Sequence, residues 1–155
     1  MRSIQNPLTH LILIAALSTI LIQSAKATST SFTVHSNEEA TKILQLKIED
    51  RVLIHFTVLG TASENTIHFY LAYPNGTEKD FGQTGYFHYT FVCDLEGNYT
   101  LRFSNIGSSI DKTVTLNYEI EHYIFGIPQM LFLTIIIAIT CVIAVASYIF
   151  LSKTH

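Results

Sequence analysis

Gly85 to Asn105 reads GYFHYTFVCDLEGNYTLRFSN, and its pattern decides the fold class. Phe87, Tyr89 and Phe91 alternate with His88 and Thr90, then Tyr99, Leu101 and Phe103 alternate with Thr100 and Arg102. Successive side chains of a strand point to opposite faces, so period two with aromatic and branched residues predicts half-buried β-strands. Leu95-Glu96-Gly97 closes the first run, with Gly97 permitting a tight turn. Asn105 ends the second, where its side chain can cap the following loop and its backbone tolerates a left-handed conformation.

The same alternation recurs on both sides. Upstream lie Leu44, Leu46 and Ile48, closed by Glu49-Asp50; Val52, Ile54, Phe56 and Val58, stopping at Gly60; and Ile67, Phe69 and Leu71, ending at Pro74-Asn75-Gly76. Downstream lie Val114, Leu116, Tyr118 and Ile120, and a weaker strand surrounds Phe32-Thr33-Val34. Repeated short strands with turn signals between them predict an all-β domain, an antiparallel β-sandwich over residues 28–123. A span of that length makes one domain.

The flanks differ in kind. Residues 130–151 (MLFLTIIIAITCVIAVASYIFL) carry no charge, and as a helix rising ~1.5 Å per residue they would cross a hydrocarbon core of ~30 Å. Their few hydroxyls can bond back to helix carbonyls. Leu11–Ile22 is a shorter apolar run after Arg2, followed by Ala25-Lys26-Ala27, the pattern of a secretory signal cleaved before Thr28. The rival reading is an uncleaved anchor, giving two spans. The chain thus divides into a signal peptide (1–27), a sandwich (28–123), a linker (124–129), a single span (130–151) and a cytoplasmic tail (152–155), with the sandwich extracellular or lumenal. Lys153 on the tail agrees with that orientation.

All twelve acidic residues fall in the sandwich with six basic ones, a formal net charge of −6. An acidic surface argues against nucleic acid as a partner, because phosphates need a cationic patch. Cys93 and Cys141 cannot pair, one lying in the span, so the core must hold without a disulfide. Cys93 reads as a buried small hydrophobe, with intermolecular pairing as the alternative.

Beyond fold, the residues Gly97-Asn98-Tyr99-Thr100-Leu101-Arg102-Phe103-Ser104-Asn105, preceded by Gly85-Tyr86-Phe87 and followed by Lys112-Thr113-Val114-Thr115-Leu116-Asn117-Tyr118-Glu119-Ile120, resemble the GOLD (Golgi dynamics) domain. That domain is the β-sandwich of the emp-type transmembrane cargo-receptor proteins, and the order signal, sandwich, single span, short tail is similar too. The resemblance implies a protein-interaction or cargo-adaptor module in transport, with other secreted or membrane proteins as partners. The chain departs from the family in having one cysteine where members carry a pair, in its short linker, and in a tail lacking paired aromatics.

Candidate site residues are few. His55, His68 and His88 all point outward on their strands, and gathered on one sheet face they are weak candidates for a metal site; no short metal-ligand spacing supports it. Arg102 also points outward and, on an acidic domain, is a candidate binding fork for a partner's carboxylate; the plain alternative is pairing with a neighbouring Glu or Asp. Asn75-Gly76-Thr77 on a turn is a glycosylation candidate, and Asn98-Tyr99-Thr100 in a strand a chance match. Tyr73, Phe81 and Tyr86 read as loop aromatics, keeping a second function open: a cell-surface binder of a glycan, lipid headgroup or metal. Thr140, Ala144 and Ser147 share a helix face and allow self-association through the span. No nucleophile elbow or phosphate loop is present, so no enzyme and no cofactor are expected.

Overall fold

A computed structural model describes residues 26–61 and 64–152. Eight strands build the domain: β1 (Lys26–Val34), β2 (Glu39–Leu46), β3 (Arg51–Leu59), β4 (Ile67–Ala72), β5 (Glu78–Thr84), β6 (Tyr86–Val92), β7 (Gly97–Ser104) and β8 (Lys112–Glu121). They form two antiparallel four-stranded sheets, sheet A in the order β1-β8-β3-β6 and sheet B in the order β2-β7-β4-β5. The predicted sandwich is therefore the observed fold.

Alternation explains why the sheets pack. Val52, Ile54, Phe56 and Val58 from β3, Val114 and Leu116 from β8, Ile67, Phe69 and Leu71 from β4, and Tyr99, Leu101 and Phe103 from β7 are all buried. Phe56 of sheet A meets Phe69 at 4.9 Å and Phe103 at 5.1 Å across the interior, ring centroid to centroid. Each fully buried side chain of this size contributes roughly 1.5–3 kcal/mol. Cys93 lies in the same core, and burial first, then the nearby Asp50 carboxylate, pushes its thiol up to about 11.

Three local readings change. Ile48 does not extend its strand: β2 ends at Leu46, and Ile48 is exposed. Asp50 is the cause, since its buried carboxylate accepts the Lys47 N–H (2.9 Å) while its own N–H reaches the Lys47 carbonyl (3.1 Å), closing a turn in which Glu49 takes a φ of 71°. The turn at Pro74-Asn75-Gly76 leads into β5, a strand the pattern did not announce. β5 is an edge strand with a register shift opposite Phe69/Tyr70, so its side chains do not alternate between core and water. Gly97 adds a close approach to its turn: its φ is 145°, which residues with a side chain rarely adopt, and a Cβ there would stand 2.9 Å from the Pro74 side chain.

Asn105 acts through its side chain as expected, its Nδ2 donating to the carbonyls of Val34 (3.2 Å), His35 (3.1 Å) and Ile110 (2.8 Å). It takes no left-handed backbone; the non-glycine residues that do are Asn37, Glu49 and Phe125 among those described.

Residues 124–129, expected as a linker, take in the end of one short strand, β9 (Tyr123–Ile124), and the whole of another, β10 (Ile127–Pro128), with Phe125 at a φ of 52° and Gly126 at 73°. The helix α1 (Gln129–Ser152) follows, and residues 129–150 are long and apolar enough to cross a membrane. Thr134 and Thr140 donate to the Met130 and Ile136 carbonyls, both at 2.8 Å, so the expected back-bonding is made by these two hydroxyls. The signal reading falls mainly on residues 1–25, and most of the tail reading on 153–155, which lie outside the described residues. β1 begins at Lys26, so cleavage before Thr28 would leave the strand as Thr28–Val34.

Candidate functional site

The outward residues of the two sheets are the surface a partner would meet, and register places them in rows. On sheet A one row runs His88, His55, Asn117, Ser29 across β6, β3, β8 and β1, and the next runs Tyr86, Thr57, Thr115, Ser31. Neither row holds an acidic, lysine or arginine side chain. Four strands at ~4.8 Å spacing make the rows ~14 Å wide. Ser31 and Thr115 lie 3.3 Å apart, hydroxyl to hydroxyl. His55 stands edge-on to Tyr86 at 5.0 Å and 6.4 Å from His88, and its Nε2 is buried without a hydrogen-bond partner among the described residues. Tyr86 itself is 64% exposed.

Sheet B is built oppositely. Its central row is Thr41, Arg102, Tyr70, Asp80. The Arg102 fork donates to Glu78 Oε2 at 2.6 Å and to both Glu39 oxygens at 3.1 and 2.9 Å, with its guanidinium 5.1 Å from the Tyr70 ring centre. One side chain thus clasps β2, β7 and β5 over β4. The pairing holds the Glu39 carboxyl below its ordinary range and raises the guanidinium further. His68 stacks on Tyr70 at 4.4 Å and bonds Asp80 at 2.6 Å. The Gly82 N–H, and after it His68, hold the Asp80 carboxyl below its usual value.

These placements sort the expected residues. Arg102 is occupied by two carboxylates of its own chain. His55 and His88 are direct cross-strand partners on sheet A, whereas His68 lies on sheet B, so the three imidazoles are not gathered on one face. Strand order is the reason. Among the described residues no group of three or more His, Cys, Asp or Glu side chains is disposed to hold a metal ion.

Asn75 is exposed on the β4–β5 turn, its Oδ1 accepting from the Thr77 N–H (3.0 Å) and hydroxyl (2.7 Å). Asn98 is exposed near the start of β7. Two of the three loop aromatics lie on strands, Phe81 on β5 and Tyr86 at the start of β6, and the third, Tyr73, follows β4 in the loop but is packed. Phe81 sits on β5 against Phe69, Phe87 and Tyr89 (5.5, 4.8 and 4.9 Å), and Tyr73 packs edge-on to Tyr99 at 5.5 Å.

The neutral rows of sheet A were not singled out from sequence. Part of their signal was present: the outward residues of β1 from Ser29 are Ser29, Ser31 and Thr33, and those of β8 are Thr113, Thr115 and Asn117, before the charge of Glu119 in the next row.

No family model and no curated protein matches the chain. Among solved structures, the periplasmic inhibitor of g-type lysozyme PliG from Aeromonas hydrophila is similar at 14% identity and a TM-score of 0.47, over 63% of this chain and 89% of that one. A mutant of the Escherichia coli PliG gives 14% and 0.46 over 64% and 91%, and the Yersinia pseudotuberculosis-derived mitogen 9% and 0.42 over 62% and 86%. Scores below 0.5 at such identities carry no argument about function.

Proposed function

We propose that this chain is a membrane-tethered protein-interaction module: a GOLD-like sandwich on the extracellular or lumenal side of a membrane, anchored by α1, recruiting or retaining secreted or membrane proteins rather than catalysing a reaction. The observation that carries the reading is the pair of uncharged rows on sheet A, on a domain whose other outer face has its charges paired. A flat surface of hydroxyl, amide, imidazole and tyrosine groups suits protein recognition, where tyrosine supplies contact area at low entropic cost and small polar groups adapt their hydrogen bonds. Such a patch typically buries ~800 Å² per partner. The GOLD relationship and a role in cargo transport belong to the same proposal, on the strength of the residues quoted above.

The test is crosslinking of the full chain in its own membrane, followed by identification of captured proteins. The module reading expects a defined set of proteins that persists in chelator and survives changing His55, His68 and His88 together to Ala. One observation favours a second reading: the buried, unpartnered Nε2 of His55 beside exposed Tyr86 offers a polar point to a small ligand. Capture of no protein, with binding of a glycan or a metal that depends on His55 and Tyr86, replaces the first reading with the second.

A further inference from the structure

Strand β6 is one of the two edge strands of sheet A, hydrogen-bonded among the described residues on one side, to β3. Its residues, YFHYTFV, include no charge, proline or glycine. Antiparallel pairs alternate between positions that exchange backbone hydrogen bonds and positions that do not. The phase here is fixed at both ends: Val58 N–H donates to the Gly85 carbonyl and Cys93 N–H to the Asp50 carbonyl, each at 2.8 Å. Carried through the register, Phe87, Tyr89 and Phe91 bond to Phe56, Ile54 and Val52. Tyr86, His88, Thr90 and Val92 therefore aim their backbone N–H and C=O groups away from β3, the Tyr86 carbonyl already accepting from the Thr84 hydroxyl at 2.6 Å.

We infer that this β6 edge is the binding site of the module proposed above, and that its ligand is an extended segment of a partner protein, with apolar side chains at alternate positions, adding as a fifth strand to sheet A.

The backbone chemistry selects the ligand class. Donors and acceptors recurring every second residue, at ~6.8 Å, are matched by another extended polypeptide. The side chains select the sequence pattern. On the inner side Phe87, Tyr89 and Phe91 are half-buried, continued by Phe81 of β5, with the Lys79 ammonium closing the seam on the Tyr89 hydroxyl at 3.0 Å. A strand laid along β6 would turn every second side chain onto this aromatic rim, so those positions must be apolar. Its other side chains would extend the neutral rows that begin with Tyr86 and His88.

The other edges are less suited. β5 opens with Glu78, Lys79 and Asp80 and is kinked by its register shift, the devices by which sheets discourage edge pairing. β2 holds Glu39 and Lys42. β1 carries one charge, Lys26 at its start, and the inward residues along most of its length are Thr28, Thr30 and Phe32 rather than an aromatic row.

The test uses the full chain in detergent micelles and a capped fluorescent peptide in which valine alternates with threonine between a terminal lysine and aspartate. A second peptide has the same side chains but carries N-methyl groups at alternate residues, on its pairing edge. The expected result is binding of the first, about ten-fold weaker binding of the second, and slowed amide exchange at Tyr86, His88, Thr90 and Val92 when the first is bound. Thr90→Pro removes an outward N–H and no β3–β6 bond, and should weaken binding about ten-fold, with Thr33→Pro on the β1 edge, outside the two neutral rows, as the unaffected control. Thermal unfolding checks both variants, and the exchange measurement needs neither.

Absence of binding up to about 1 mM, equal binding of the methylated peptide, or slowed exchange on β1 instead of β6 overturns the inference. So does a dimer of the full chain that Thr90→Pro dissolves while the peptide does not bind, which would assign the edge to a second copy. Membrane capture of proteins that continues when the peptide test fails sinks the β6 assignment and leaves the module standing. Capture of none removes the module itself.

Discussion

On the outer face of sheet B, Arg102 reaches Glu39 and Glu78, and His68 reaches Asp80; on the outer face of sheet A, the matching central row is His88, His55, Asn117 and Ser29, with no such pair. Both faces lie on the same core and both alternate with it, so burial cannot account for the difference. A charge paired within its own chain is partly desolvated and geometrically committed, and a partner would have to break that pairing to use it. A neutral hydroxyl or amide gives up only bonds to water. Sheet B's polar chemistry is directed at holding four strands together, whereas sheet A's is directed outward.

The largest effect expected of any single change strikes both faces at once. Phe69 meets Phe56, Phe81, Phe87 and Phe103 at 4.9, 5.5, 4.7 and 5.1 Å. Phe69→Ala should cost about 3–5 kcal/mol in denaturant unfolding of the full chain. A cost below 1 kcal/mol would mean that the faces are not backed by one shared core. Asn105→Ala comes next, at about 2 kcal/mol, because the carbonyls of Val34 at the end of β1, His35 just after it and Ile110 in the β7–β8 connection lose their donor.

Arg102→Ala sharpens the comparison directly. It should cost about 1 kcal/mol, the pair being part-exposed but bidentate, while Thr115→Ala at the corresponding depth on sheet A should stay within about 0.5 kcal/mol. Equal costs would contradict the division of labour between the faces. The pH profile carries the same signature. Glu39 and Asp80 are held below their ordinary values of 4.5 and 3.8, so the stability they contribute is present above those values and is lost as pH falls through the lower folded ones. Arg102→Ala should flatten the Glu39 part of that acid limb in a series of melting curves, and Asn117→Ala on sheet A should leave it unchanged.

How much of this was legible before the structure follows from range. Period-two alternation is local, and it located seven strands and nearly every core side chain, Phe56, Phe69 and Phe103 included. It missed β5, where a bulge and an edge position, with Phe81 alone packed on the core, erase the alternation. It also carried Ile48 into a strand that the buried Asp50 carboxylate ends two residues earlier. The direction in which Arg102 and the three histidines point was legible too, since it depends on their own neighbours. Their partners were not. Glu39 and Glu78 stand 63 and 24 positions from Arg102 in the chain, and only strand order brings them to it. The same order separates His68 from His55 and His88.

The most direct measurement is a matched pair of surface variants in membrane crosslinking of the full chain: Asn117→Glu at the centre of sheet A, and Arg102→Ala at the centre of sheet B. Both sites lie outside the core, so each variant should fold, and a melting curve verifies that. A charge placed in the neutral rows should remove the captured proteins, while loss of the internally paired arginine should leave them in place. Capture that survives Asn117→Glu and disappears with Arg102→Ala would place recognition on sheet B and contradict the account.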